Sequence, residues 1–220
     1  DIVTAVGPHQ FAVGVAGGCE KVQKTIAAAV EERPEGVVLA LDFTNAFNSM
    51  LRSAVRAAVR KRLPALEAVV EIVCGAETRH WFYDDAGGNA VLSTRGVDQG
   101  CPLSPALFAV GIAEPLETLA ASLRLRDGKA RVISYLDDIY VVVKPEFAAA
   151  AFADAERLFG GVGLALNRSK CAAWSAAGSA NVPDALADLR VDELKCLGSA
   201  VRFVTAAADY AADADRVHVS

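Results

Sequence analysis

The chain has 220 residues, of which 53% are hydrophobic and 22% charged, so it is long enough and apolar enough to fold around a core of its own. Its formal net charge of −5 argues against a protein that binds nucleic acid through an overall basic surface. The five cysteines are scattered without a CxxC pair, and no apolar run reaches the ~18 residues that span a bilayer. We therefore expect an intracellular protein with reduced thiols and no membrane segment.

Helices and one buried strand are predicted in the first third of the chain. Hydrophobic periodicity predicts a helix from about Gly18 to Glu32, and the apolar run Val37–Phe43 is typical of a buried strand. A second helix follows through Leu51–Arg62, and a third begins at Pro64 and runs to about Glu77.

The second helix is strongly basic. Arg52, Arg56 and Arg60 follow i, i+4, i+8 spacing, so they share one face of the helix. This pattern fits either a solvated helix face or a surface that contacts phosphates.

Strands dominate the middle and the end of the chain, with two further helices between them. A β-hairpin is predicted from His80 to Thr94, around an Asp-Ala-Gly-Gly-Asn turn. The remaining elements, in chain order, are a helix over Pro102–Leu123 with a kink at Pro115, two β arms at Arg131–Tyr135 and Ile139–Val143, a helix over Phe147–Phe159, and strands within Leu164–Trp174 and Leu194–Phe203.

The order of these elements predicts the fold. Without the middle insertion, the chain reads strand, helix, two-stranded hairpin, helix, strand, which is the order of a split βαβ sheet. We therefore expect an α+β fold with four antiparallel strands covered by helices on one face.

Three carboxylates mark the predicted functional site. Asp137 and Asp138 join the two apolar β arms, and Asp42 stands near the end of the first strand. Each has an ordinary explanation alone, since Asp is common in turns and at helix N-caps. In a split βαβ sheet, however, the first strand lies beside the central hairpin, so Asp42 and Asp137 converge. Converging carboxylates repel unless a cation neutralises them, and hard oxygen ligands suit Mg²⁺ or Mn²⁺.

Around these aspartates the sequence resembles the reverse transcriptases of non-LTR retroelements. SYLDDIYVV resembles their Tyr-x-Asp-Asp motif, LDFTNAFNSMLR their first Asp motif, and RGVDQGCPLSPALF their Gln-Gly and Ser-Pro signatures. LALNRSK resembles the strand with a late lysine, LKCLGSAV the turn that grips the primer end, and HQFAVGVAGGCE the segment before the palm. These segments occur in the family's order from about His9 to Phe203 and cover most of the chain.

The resemblance implies a polymerase palm with part of the fingers and a two-metal site for nucleotidyl transfer. Asp42 and Asp137 would ligate two Mg²⁺ (or Mn²⁺) ions, Asp138 would assist, and the carbonyl of Phe43 would complete the shell. Lys170 would protonate the pyrophosphate leaving group, or is simply an exposed lysine at a strand end.

The resemblance also implies a set of substrate contacts. Phe47 would exclude the 2′-hydroxyl of ribonucleotides, unless its ring only packs in the core. Gln99 and Gly100 would border the nucleotide and the template. Tyr135, within the Tyr-x-Asp-Asp motif, would contact substrate as well.

The implied domains are residues 1–33 as the end of the fingers and the entry helix of the palm, and residues 34–203 as the palm. Within the palm, residues 63–98 would be a fingers insertion, and residues 204–220 a frayed tail or the start of a thumb. The implied partners are an RNA template, a DNA or RNA primer and deoxynucleoside triphosphates. Since no basic fingers cluster precedes Gln10 and no full thumb follows Phe203, we expect a fragment of a larger, intracellular polymerase, nuclear if the host is eukaryotic.

Three alternatives remain at this point. The chain is a remnant of a degenerate mobile element, or a palm-derived scaffold that binds RNA without catalysis. The third is an α/β domain whose aspartates are only helix caps and turn residues.

Overall fold

The computed structural model describes residues 1–84 and 87–200. The last residues of the predicted palm, 201–203, and the predicted tail, 204–220, lie outside the described residues. The helices are α1 Ile2–Val6, α2 Gly18–Glu32, α3 Ala46–Ser49, α4 Arg52–Arg62, α5 Glu67–Cys74, α6 Ser104–Arg126 and α7 Pro145–Gly160, with 3₁₀ turns at Pro64–Leu66, Ser179–Asn181 and Asp184–Leu189. The strands are β1 Val37–Leu41, β2 Thr78–Asp84, β3 Gly87–Ser93, β4 Arg131–Tyr135, β5 Asp138–Val143, β6 Ala172–Trp174, β7 Lys195–Cys196 and β8 Ser199–Ala200.

A four-stranded antiparallel sheet forms the centre of the fold. Its strand order is β4-β5-β1-β6, and β1 pairs with β5 from Val37 opposite Val143 to Leu41 opposite Ile139. The α+β class and the split βαβ order are therefore confirmed. As predicted, the first strand lies directly beside the hairpin that carries Asp137 and Asp138.

Helices cover both faces of this sheet, and the prediction that they lie on one face is wrong. Leu39 and Val141 share a hydrophobic core with α6 and α7, whereas Val38 and Val142 pack with Val22 of α2 on the opposite face. The physical reason lies in the strands themselves. Because β1 and β5 are apolar at consecutive positions, both of their faces need to be shielded from water.

Some element boundaries also differ from the prediction. The strand predicted within Leu164–Trp174 is reduced to β6, and the residues before it form turns and one isolated bridge at Leu166. The helix predicted from Pro64 becomes a 3₁₀ turn followed by α5, which ends at Cys74. Short elements such as α1 and α3 have too few residues to show a periodic pattern.

Helix α6 is the central core helix. Among the described helices it alone has the length and apolar composition of a membrane span, and 67% of its most apolar window is buried inside the fold. Its hydrophobicity is explained by this packing against sheet and helices.

The arginines of α4 are engaged within the fold. Arg56 forms a salt bridge with Glu71, and Arg60 forms one with Glu67. Arg52 is buried and donates hydrogen bonds to the carbonyls of Gly96 and Ala76 and to the hydroxyls of Thr78 and Ser93. This face of α4 therefore fastens the base of the β2–β3 hairpin and α5 instead of presenting free positive charge.

Candidate active site

Asp42 follows the last residue of β1 and is held by its backbone. Its amide lies 3.4 Å from Sγ of Cys171, and its carbonyl accepts a hydrogen bond of 2.8 Å from the amide of Asn167. Its Oδ1 atom is buried and has no hydrogen-bond partner within the described part of the chain. A buried carboxylate oxygen without a donor is costly unless a ligand satisfies it.

Asp137 and Asp138 emerge at the same end of the sheet as Asp42. Leu41 pairs with Ile139, so the next residues outward on these neighbouring strands are Asp42 and Asp138. The turn from β4 to β5 consists of Leu136 and Asp137, between the paired residues Tyr135 and Asp138. The structure thus brings the three predicted aspartates to one edge of the sheet.

The electrostatics of the three aspartates show that their charges act on one another. Burial raises the pKa of Asp137 above its usual value, and the charge of Asp42 raises it further. Burial likewise raises the pKa of Asp138 to about 6, with added repulsion from Asp137 and Asp42. Asp138 remains exposed as a whole residue, so only part of its carboxyl group is shielded from water. The cluster is unfavourable in its fully charged form, and a bound cation would relieve it.

The side chains at this site supply only some of the ligands that a Mg²⁺ ion needs. Among residues 1–84 and 87–200, no three His, Cys, Asp or Glu side chains are arranged to hold a metal ion by themselves. Mg²⁺ in phosphoryl-transfer sites is commonly held by one or two carboxylates together with substrate phosphates, instead of by an all-protein cage. Asp42 and Asp137 supply two such carboxylates, and the free Oδ1 of Asp42 supplies a donor atom that nothing in the described fold uses.

The two phenylalanines after Asp42 differ in their surroundings. The ring of Phe43 is buried and meets the ring of Phe159 edge-on at 5.1 Å, so only its backbone is left for a ligand. The ring of Phe47 is half-buried and stacks on Phe108 with a centroid distance of 4.5 Å. Phe47 therefore packs against Phe108 while part of the residue stays exposed, and its role toward the sugar stays a prediction.

Gln99 and Gly100 lie on the loop that leads into α6. This loop is hydrogen bonded to α3, because the amide of Val97 donates to the carbonyl of Phe47 at 2.8 Å. Gln99 is exposed, and Gly100 has a φ of +92°; apart from its chain neighbours, no atom of the described residues lies within 4 Å of where a Cβ would stand. A non-glycine residue would be strained there although the space is open, so glycine is needed for the backbone conformation.

Lys170 lies in a turn that contacts Asp42. Its amide donates to the carbonyl of Asn167 at 2.8 Å, while the amide of Asn167 donates to the carbonyl of Asp42. The Lys170 side chain is exposed. The lysine thus precedes β6 in a turn beside the aspartates, and its part in proton transfer stays a prediction.

Tyr135 is half-buried on the face of the sheet that α2 covers. A Cβ at Gly18 would meet the Tyr135 ring at 3.2 Å, so the ring lies against the start of α2. The hydrogen bond with the neighbouring Cys19 thiol and, to a smaller degree, burial raise the pKa of Tyr135. Its contact with substrate stays a prediction.

Two residues at the site were not predicted from the sequence. Gln10 and Ser134 are buried and hydrogen bond the backbone of Leu136, next to Asp137. The signal available was weak. Ser134 is a polar residue in an otherwise apolar strand, and Gln10 lies within HQFAVGVAGGCE, a stretch that is informative only through its resemblance to a family segment.

Known proteins resemble this chain in both sequence and fold. The sequence profile of the family described as "Reverse transcriptase (RNA-dependent DNA polymerase)" matches residues 4–201. The chain is also 33% identical over 144 residues to the retrotransposable element SLACS 132 kDa protein of Trypanosoma brucei gambiense. That match covers 62% of this chain and 11% of the relative, so the chain corresponds to a small part of that protein.

Solved telomerase structures share the fold. Telomerase from Candida albicans, in complex with a fragment of telomeric RNA, superposes with a TM-score of 0.63 over 91% of this chain and 35% of its own, at 10% identity. Telomerase from Candida tropicalis, also with such a fragment, superposes with a TM-score of 0.61 over 90% of this chain and 34% of its own, at 11% identity. The family profile, which matches residues 4–201, shows that the chain belongs to the reverse transcriptase family.

Proposed function

We propose that the chain is the palm of a retroelement polymerase and carries out RNA-templated DNA synthesis by two-metal nucleotidyl transfer. The observation that carries the proposal is the position of Asp42, Asp137 and Asp138 at one end of the sheet, where burial and, to a smaller degree, repulsion between the aspartates raise the pKa of Asp137 and Asp138. Such a cluster is costly without a cation and suits phosphoryl chemistry with one.

Each residue would have a distinct part in the reaction. Asp42 and Asp137 hold the cations, with the Phe43 carbonyl as a further donor and Asp138 in a supporting contact. When bound, a pair of Mg²⁺ or Mn²⁺ ions lowers the pKa of the primer 3′-hydroxyl and balances charge on the triphosphate. Lys170, exposed on the turn next to Asp42, donates a proton to the departing pyrophosphate.

The substrates are an RNA template, a DNA or RNA primer and deoxynucleoside triphosphates. Gln99 and Gly100 would lie along the nucleotide and the template, because their loop is exposed and is fastened to the helix that carries Phe47. The acidic net charge and the internally paired arginines of α4 supply little phosphate affinity. Fingers and thumb segments of the same polyprotein are therefore proposed as partners in holding the nucleic acid.

Primer extension tests the proposal. The full-length polyprotein, in which this chain is joined to its fingers and thumb segments, is expected to extend a primer on an RNA template when Mg²⁺ or Mn²⁺ is present and to stop with EDTA. The isolated 220-residue chain is expected to be much less active. Binding of the RNA without any extension would instead support a palm-derived RNA-binding scaffold, and neither binding nor extension would support a degenerate remnant.

Metal ions are expected to stabilise the protein in a pH-dependent way. The raised pKa values of Asp137 and Asp138 contribute stability below the usual carboxyl pKa, and this is lost as the pH rises through the folded-state value, about 6 for Asp138. Because cations bind the deprotonated carboxylates, the rise in melting temperature caused by Mg²⁺ or Mn²⁺ should be small near pH ~5 and larger near pH ~7.5. Thermal unfolding with and without the metal measures this rise in melting temperature. An equal rise at both pH values would contradict metal binding by these aspartates.

Phe47→Val is expected to relax the choice of sugar. A shorter side chain would remove the ring that meets a 2′-hydroxyl, so the ratio of ribonucleotide to deoxynucleotide incorporation should rise at least about tenfold. Phe147→Val, which shortens a half-buried phenylalanine near the start of α7, shortly after the end of β5 opposite to Asp138, is the matched control for lost core packing. If both variants show the wild-type ratio, Phe47 serves only the core.

We further propose that the protein works inside the cell, and in the nucleus if its host is eukaryotic. All five cysteines are free thiols, as expected in a reducing compartment. Fluorescence microscopy of the tagged protein in its host tests the location, and secretion of the protein would contradict it.

A further inference from the structure

Leu136, in the turn that carries Asp137, has an unusual backbone conformation. Its φ is +54°, a region that bulky side chains seldom occupy and that costs of order 1 kcal/mol or more. Such a conformation persists only if its surroundings hold it. Those surroundings therefore also determine where Asp137, the next residue, is placed.

Two buried side chains hold both backbone groups of Leu136. The amide of Leu136 donates to Oε1 of Gln10 at 2.9 Å, and its carbonyl accepts from Oγ of Ser134 at 2.8 Å. The two side chains are linked to each other, because Nε2 of Gln10 donates to Oγ of Ser134 at 3.0 Å. The exposed fraction of Gln10 is 3% and that of Ser134 is 0%, so water cannot easily replace these bonds.

Gln10 is itself fixed by backbone bonds to the sheet. The amide of Ser134 donates to the carbonyl of His9 at 2.7 Å, and the amide of Phe11 donates to the carbonyl of Ser134 at 2.8 Å. These bonds add the His9–Phe11 segment to the outer edge of β4. The orientation of the Gln10 amide follows from its neighbours, since Oε1 also accepts from the amide of Ala12 at 3.0 Å.

We propose that Gln10 and Ser134 are positioning residues that fix the Leu136 backbone and thereby place the Asp137 carboxylate for metal binding and catalysis. This inference rests on the proposed function. Neither side chain touches the reacting atoms, and both act through the peptide units on either side of Leu136. Partners that orient a metal ligand in this way are commonly worth roughly 10–100-fold in metal affinity or activity.

The test compares Gln10→Met and Ser134→Ala with a matched control, Ser175→Ala. Ser175 is also a buried serine, and its hydroxyl bonds the carbonyl of Pro34, after α2 rather than beside the aspartates. Three quantities are measured for each protein: amide hydrogen exchange at Leu136 by NMR, the dissociation constant for Mn²⁺, and the kcat and KM of nucleotide incorporation.

Gln10→Met and Ser134→Ala are expected to accelerate exchange at Leu136 while the amides of β1 stay protected. Mn²⁺ binding should weaken and kcat should fall, each by roughly 10–100-fold, with KM for the nucleotide nearly unchanged. Ser175→Ala should leave all these values near wild type. Because the two residues form one network, the double variant should lose little more than Gln10→Met alone.

Unchanged exchange at Leu136, or changes no larger than those of Ser175→Ala, would overturn the inference. Faster exchange with unaltered Mn²⁺ affinity would overturn it as well. If Gln10→Met does not fold, Ser134→Ala decides by the same measurements. If the wild-type protein binds Mn²⁺ but incorporates no nucleotide, the proposed function is contradicted. The positioning role is then still decided by amide exchange at Leu136 and by the affinity for Mn²⁺.

Discussion

Replacing Asp137 with Asn is expected to abolish metal-dependent nucleotide incorporation while leaving the fold intact. The change keeps the size of the side chain but removes the negative charge that a divalent cation needs. Loss of a residue that merely orients a metal ligand commonly lowers metal affinity or activity by roughly 10–100-fold. Loss of a direct ligand should therefore lower kcat by more than about 100-fold. Single-nucleotide incorporation under saturating Mg²⁺ measures the effect.

Stability should move in the opposite direction to activity. The pKa of Asp137 is raised by burial and by Asp42, so its charge is unfavourable in the metal-free protein at neutral pH. Asp137→Asn should therefore melt at the same temperature as wild type or higher without metal, and should lose the stabilisation by Mg²⁺. Asp192→Asn, which neutralises an exposed aspartate, is the control and should behave as wild type. Wild-type incorporation by Asp137→Asn would refute the assignment of the site.

The largest effect on stability is expected at Asp127, which follows α6 and binds Arg33 at the end of α2. Its carboxylate accepts hydrogen bonds from the guanidinium of Arg33, at the end of α2, and from the amides of Lys144 and Lys129. Arg33 and Asp127 are both buried. Asp127→Ala would leave the charge of Arg33 buried without its partner, so the free energy of unfolding should fall by about 3–5 kcal/mol.

The pH dependence of this pair gives a second measurement. Burial alone would raise the pKa of Asp127, but the hydrogen bonds from Arg33, Lys144 and Lys129 bring it below its usual value. A lowered carboxyl pKa contributes stability above the usual value, and that contribution is lost as the pH falls through the folded-state pKa, hence only in acid. Urea unfolding of wild type and Asp127→Ala should therefore differ most at neutral pH and converge toward low pH.

Glu67→Ala is the matched control for Asp127→Ala. Glu67 pairs with Arg60 through a hydrogen bond of 2.6 Å, but both side chains are substantially exposed. Exposed ion pairs contribute only about 0–1 kcal/mol, so this variant should unfold almost as wild type does. Equal losses for the two variants would show that the Arg33–Asp127 pair has no special part in joining α2 to the rest of the fold.

The sequence by itself determined the strand order and the convergence of the aspartates. The apolar run Val37–Phe43 predicts a buried strand from neighbouring residues alone, observed as β1 Val37–Leu41, and the order of elements then places β1 beside the hairpin of Asp137. The same applies to α2, whose bounds Gly18–Glu32 agree with the predicted helix. Individual strands and helices can be predicted in this way because each depends on the pattern of neighbouring residues in its own segment.

Only the tertiary structure decided which side chains meet across long stretches of chain. The spacing of Arg52, Arg56 and Arg60 predicts one helix face, but not that Arg52 would hold the base of a hairpin while the other two pair with acidic residues of α5. Likewise Gln10 bonds Leu136 across 126 positions of sequence. A side-chain hydrogen bond forms only within about 3 Å and at a suitable angle, and no local pattern encodes that distance between residues so far apart. For this protein the sequence therefore specified the strand order and the aspartates, and the packing of distant segments specified how the turn that bears Asp137 is held.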